Sequence, residues 1–116
     1  MKRGTVVWRR NEQLLGRTTV AYARSFWHRL RGLLARAPLV QGEGLVISPC
    51  NAIHTGFMGY SIDVVFVSRE HVVVNVAAAV SPWRARRSGR ARYVVELAGG
   101  EAGRLMLQVG DECLLE

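Results

Sequence analysis

The chain has 116 residues, 49% of them hydrophobic and 22% charged, the balance of one globular domain (1–116) and not of a disordered or low-complexity chain. Its net charge of +7 comes from 15 Arg and one Lys against nine acids, a field that favours anionic partners of any kind, although so lopsided an Arg count also fits a compositional bias. Cys50 and Cys113, with no CxxC pair, exclude a zinc knuckle or a dense disulfide framework; reduced thiols are expected, and a bridge between the two requires Cα atoms within about 7 Å.

At the amino terminus Met1-Lys2-Arg3 precedes an apolar run far too short for a signal peptide, and no stretch reaches the ~18 apolar residues of a membrane span. A soluble cytoplasmic protein is expected. Thr5 to Trp8 is β-prone, Asn11 to Gly16 reads as a turn region, and the β-branched and aromatic residues of Thr18 to Ala23 predict a second strand. Ser25 caps a predicted helix over about 25–36, in which Phe26, Leu30, Leu33 and Leu34 recur at helical spacing until Pro38 stops it.

Leu45-Val46-Ile47 predicts a short buried strand after the Gly42-Glu43-Gly44 loop. Ile62 to Val67 and Val72 to Val80 are apolar runs joined by the four residues Ser68 to His71, which predicts an antiparallel hairpin. Tyr93 to Leu97 follows as a strand; Gly99-Gly100 breaks the chain before a short helix over about 101–107; and Gly110-Asp111 turns into a terminal strand, Glu112 to Leu115. Seven strands and two short helices predict a mainly β, α+β-leaning fold, a compact antiparallel sandwich or barrel.

The segment Ser48 to Asp63 concentrates chemistry: a thiol (Cys50), an amide (Asn51), an imidazole (His54), hydroxyls and a carboxylate (Asp63) between two apolar strands. In extended backbone His54 and Met58 share a face, and a turn near Gly59 to Ser61 would return Asp63 to the same neighbourhood. A His54–Asp63 pair could serve as an acid–base unit or anchor a polar ligand; alternatively Asp63 satisfies backbone N–H groups of the turn and His54 is a hydrogen-bonded core residue. A metal site at Cys50, His54 and Asp63 would need a helix there, and Pro49, Gly56 and Gly59 argue against one, so no metal or cofactor is expected. As a nucleophile Cys50 competes with its reading as a small core residue.

Arg84-Ala85-Arg86-Arg87-Ser88-Gly89-Arg90-Ala91-Arg92 holds five Arg in nine positions between Trp83 and Tyr93. It reads as a phosphate or nucleic-acid contact surface, or as a solvated, mobile loop, the commoner role of a charge run.

These pieces resemble a known family, the small bacterial and archaeal domains named domain of unknown function 192. The resemblance rests on Arg31-Gly32-Leu33-Leu34, Gly42-Glu43-Gly44-Leu45, Pro49-Cys50-Asn51-Ala52-Ile53-His54-Thr55, Phe57-Met58, Ile62-Asp63-Val64-Val65-Phe66, Pro82-Trp83-Arg84, Val95-Glu96-Leu97 and Gly110-Asp111, over about residues 18–116. It departs from the family at Gly59-Tyr60, where members often carry an aromatic or basic pair, and at Ser61, where they often carry Pro. The resemblance implies a mostly antiparallel β sandwich or barrel with short helices and no settled biochemical role.

The reading that follows is a non-enzymatic, monomeric binding module. His54, Asp63, Met58 and Trp83 would line a partly apolar pocket, with Arg84 or Glu96 at its rim selecting a small polar ligand or a peptide. Its rivals are a hydrolase or lyase using His54 and Asp63 with Cys50 assisting, and a nucleic-acid binder acting through residues 84–92.

Overall fold

Apolar residues that alternate along each run must leave water on one or both faces of a sheet, and this organises the chain. A computed structural model describes residues 2–23, 39–55 and 59–116; the helix expected over 25–36 and the site residue Met58 lie outside them. Among the described residues the strands are β1 (Arg3–Arg10), β2 (Gln13–Ala23), β3 (Glu43–Ile47), β4 (Ala52–His54), β5 (Ile62–Val67), β6 (Val73–Val80), β7 (Ala85–Arg87), β8 (Tyr93–Ala98) and β9 (Glu112–Leu115). The one helix among them, α1 (Glu101–Arg104), is shorter than the expected 101–107. Gly103 within it is a poor helix former, and Met106 adopts φ 58°, so the chain leaves the helix in turns. Among the described residues no helix is long and apolar enough to cross a membrane.

The seven strands expected from the sequence are those of the main sheet, in the order β6-β5-β8-β3-β2-β1-β9, but β2 begins at Gln13, inside the stretch Asn11 to Gly16 expected to turn, because Asn11 and Glu12 at positive φ complete the reversal by themselves. Pairing is antiparallel except between β2 and β3, which run parallel with Ala21 opposite Leu45. The expected hairpin forms, β5 and β6 pairing with Val65 opposite Val76. β4 and β7, not expected from the sequence, form a separate two-stranded ribbon.

The sheet curls until its outer strands meet at one corner. Val72 bridges Glu112, the Val73 N–H donates to the Asp111 carbonyl at 2.8 Å, and the Cys113 N–H donates to the His71 carbonyl at 2.9 Å. Beyond Val73 this contact ends, so the sheet is not a closed barrel. Arg10 of β1 pins the corner through Asp111, its Nε to Oδ1 at 2.7 Å, while its Nη2 reaches the Met106 carbonyl. The positive φ of Gly110, 98°, supplies the turn that delivers Asp111.

Two apolar layers result, one on each face. On the inner face Val6, Trp8, Val20, Val46, Val65, Val95, Leu97 and Cys113 pack with Ala102, Leu105 and Leu107 of the α1 region. On the outer face Ala21, Leu45, Ile47, Ile62, Val64, Phe66, Val80 and Val94 pack with Ile53 of β4. All six residues of β5 are buried because that strand is covered on both faces.

Candidate functional site

Strand alternation decides which expected site residues can meet. Asp63 lies opposite Leu97 in the β5–β8 ladder and shares its face with Val65 and Val67, which puts its side chain in the inner layer. There it is fully buried: Oδ1 accepts the Ala79 N–H and Oδ2 the Ala102 N–H, each at 2.8 Å. Both carboxylate oxygens are thus committed to backbone, one to a bulge in β6 and the other to the first turn of α1. His54, by contrast, follows Ile53, which packs in the outer layer, and is itself exposed. The expected His54–Asp63 pair does not form, because the two side chains belong to opposite faces of the sheet.

Glu96 departs from expectation as well. It pairs with Leu45 and Val64 in mid-sheet and is fully buried, so it is no rim residue. Cys50 is half-buried, its Sγ donating to the Ala52 carbonyl at 3.0 Å, and neither it nor Cys113 is in a disulfide. Cys113 sits in the inner layer, so the two thiols cannot approach.

What the structure does bring together is His54, Trp83 and Arg84, on the β4–β7 ribbon. His54 lies opposite Ala85 and Ile53 opposite Arg86, so His54 shares its face with Ala52, Ala85 and Arg87 while Ile53 anchors the other face to the core. Thr55, fully buried, locks the turn that follows. Its hydroxyl donates to the Ser81 carbonyl at 2.6 Å and accepts the Arg84 N–H at 2.8 Å. Its backbone N–H donates to the Arg84 carbonyl at 2.8 Å, and its own carbonyl accepts the Trp83 N–H at 3.1 Å.

Within this clamp Trp83 adopts φ 62°, a conformation that costs a bulky side chain about 1–2 kcal/mol, and the residue is 67% exposed. Backbone strain that a surrounding hydrogen-bond set holds in place is a common mark of a presented contact residue.

The Arg-rich tract is not a loop without backbone partners. After β7 the Ser88 N–H donates to the Asn51 carbonyl, the Ala91 N–H to Ser88, and the Arg92 N–H to Val67 in β5, while the Cys50 N–H returns to the Arg92 carbonyl. Arg84, Arg86, Arg87, Arg90 and Arg92 are all exposed. None of them pairs with a carboxylate among the described residues, which include all nine acids of the chain.

An open pocket of about 240 Å³, lined by Pro49, Cys50, Asn51, Ala91 and Arg92, continues this surface. A larger groove of about 310 Å³ lies elsewhere, between Val76 and Ala78 of β6 and Gly103, Met106 and Leu107; no charged residue lines it. Among the described residues no group of three or more His, Cys, Asp or Glu could hold a metal ion.

Thr55 was not singled out in the sequence, and neither was the pairing of 52–54 with 85–87. A lone hydroxyl beside a histidine carries no periodic signal, and three-residue strands rich in Ala and Arg carry little β-propensity.

The family model DUF192, described as Uncharacterized ACR, matches residues 6–115, reaching back into β1 beyond the core at 18–116. A curated relative, the "UPF0127 protein" of Thermococcus sibiricus, is 35% identical over 99 residues, covering 80% of this chain. This chain spans 63% of that relative's length. Two solved structures are similar. A protein of unknown function from Novosphingobium aromaticivorans gives a TM-score of 0.79 at 25% identity, over 95% of this chain and 83% of the other. A "putative transcription regulator" from Sinorhizobium meliloti gives 0.85 at 18% identity, over 98% and 94%; this likeness shows the fold alone.

Proposed function

Since the chain belongs to the DUF192 family, described only as uncharacterized, its function is read from geometry, and we propose a non-enzymatic binding module whose contact surface is the exposed part of the β4–β7 ribbon and of the turn that precedes β7. Its ligand is polar and negatively charged. The observation that carries this reading is the exposure of Trp83 at φ 62° under the Thr55 clamp, near exposed His54 and near exposed Arg84 and Arg87, two guanidinium groups with no carboxylate partner among the described residues. Backbone strain at an exposed aromatic residue beside exposed cationic side chains is the kind of arrangement found where a surface meets a partner.

The hydrolase or lyase alternative loses its support, because the carboxylate meant to orient His54 holds two backbone N–H groups in the other layer. Titration with inorganic phosphate, pyrophosphate, a glutamate-rich hexapeptide and a dT hexamer, followed by heteronuclear NMR, tests the proposal. The expected result is shifts in the Trp83 indole N–H and the His54 ring, accompanied by the backbone amides of 83–87. Shifts confined to other surfaces, or none at millimolar ligand, would reject it.

A further inference from the structure

We infer that the partner of the ribbon is single-stranded nucleic acid, an assignment that rests on the ribbon being the binding surface. A small anion is held by donors that converge on one point. Here the charges are strung out instead. Arg87 lies on the His54 side of the ribbon, whereas Arg86, opposite Ile53, and Arg84, opposite Thr55, lie on the other; Arg84 and Arg87 are separated by roughly 10 Å at the strand rise, and Arg90 and Arg92 follow across the Ser88–Ala91 turn. Such an array matches a polymer with repeating negative charge.

Phosphates and carboxylates both meet that description, and Trp83 discriminates between them. An acidic peptide satisfies guanidinium groups without needing a flat ring, whereas a nucleic acid with unstacked bases supplies a π-face for an exposed indole. In a duplex the bases are already stacked, so the same ring would contribute nothing. Anchoring of the segment to the core through Ile53, Thr55 and the Arg92–Val67 bond means that the Arg side chains are presented from fixed backbone. Little backbone ordering then opposes binding.

A chain of net charge +7 attracts any polyanion, so the test must localise the contact. Fluorescence anisotropy of labelled 12-mers of dT and rU, measured against salt, is compared across four forms of the full chain: wild type, Trp83→Gly, Arg84→Ser/Arg87→Ser, and the charge-matched control Arg17→Ser/Arg69→Ser. Glycine tolerates φ 62°, so Trp83→Gly removes the ring while accommodating the backbone. Circular dichroism melting checks that each form folds.

Wild type is expected to bind at about 1–100 µM with a log–log salt slope of about −2 to −3. Trp83→Gly weakens binding about 5- to 100-fold. The double ribbon variant flattens the slope by about 1.4, and the control pair, exposed on other surfaces, leaves the loss at Trp83 unchanged. Duplex of the same length binding as tightly as single strand, with Trp83→Gly without effect, overturns the assignment. So do equal losses from the control pair and the ribbon pair. A glutamate-rich peptide that shifts Trp83 while the 12-mers fail to bind also overturns it but leaves the ribbon as a binding surface; if neither binds there, both readings fall.

Discussion

Asp63 shows how a residue that looks functional can be structural. A carboxylate between apolar residues in a strand is a chemical oddity, and the sequence signals the oddity without its purpose. Its two oxygens bind Ala79 of β6 and Ala102 of α1, tying a bulge and a helix start to the central strand. Asp63→Asn replaces one acceptor with an NH₂ group facing an N–H, and should cost about 2–3 kcal/mol. For a domain of this size that lowers Tm by roughly 10 °C in a melting experiment. An unchanged Tm would show that the two N–H groups find other acceptors. Thr55→Val removes the hydroxyl and keeps the shape; it should lower stability by about 1–3 kcal/mol and release Trp83 from its turn. The checks are the melting curve and a change in the Trp83 indole resonance, which an effect on stability alone would not produce. His54, Trp83 and Arg84 were legible as candidates because imidazole, indole and guanidinium stand out between apolar runs. Glu96 stood out equally but is sealed in mid-sheet, since the strand runs on past it on both sides.

Elements were legible where burial is continuous. The seven strands of the main sheet announce themselves as runs of Val, Ile, Leu and Tyr, and the Ser68–His71 connection correctly implied the β5–β6 hairpin. The parallel step from β2 to β3 was not legible, because both strand orders satisfy the same apolar pattern. The ribbon escaped notice for a different reason: among the described residues its buried apolar anchor is Ile53, supported by the Thr55 hydroxyl and backbone bonds, and none of these leaves a period in the sequence. The seam between β1 and the turn before β9 makes a prediction about acid. Burial alone would raise the Asp111 carboxyl, but hydrogen bonds from Arg10 and Gln108 and the Arg10 charge outweigh it and hold the group below its usual range. Arg104, with the Gly42 N–H, likewise holds Glu101 down against its own burial. An acid depressed by folding stabilises fully above its unfolded value, about 4, and that stability is lost as pH falls through the lower folded value. Tm should therefore be nearly level from pH 7 to about 5 and fall steeply below about 4. In Asp111→Asn the starting Tm is lower and the acid-side fall is shallower; an equally steep fall would place the titrating group elsewhere.

At the scale of the whole molecule the decisive feature is that one curled sheet separates two apolar layers, and the two cysteines report on it. Cys50 lies at the outer layer, half-buried beside an open pocket, while Cys113 is fully enclosed in the inner layer near Tyr93. Burial pushes the Cys113 thiol up to about 11, the Tyr93 hydroxyl offsetting only part of the rise. At pH 8 a thiol with that value is thiolate in about one molecule in a thousand, and the thiolate is the reactive form. An aromatic disulfide reagent should therefore label one thiol promptly in the native protein, identified as Cys50 by mass spectrometry. The second should follow only as the inner layer opens, at a rate that rises with denaturant in step with unfolding. Cys50→Ser should abolish the prompt phase and leave the slow one. Two prompt phases would mean that the corner joining β6 to β9 does not seal the inner layer, because that seam, held by Val72–Glu112 and the Arg10–Asp111 pair, is the wall nearest Cys113. The same separation of layers keeps His54 from Asp63, so the labelling pattern bears directly on the geometry from which a binding role was inferred.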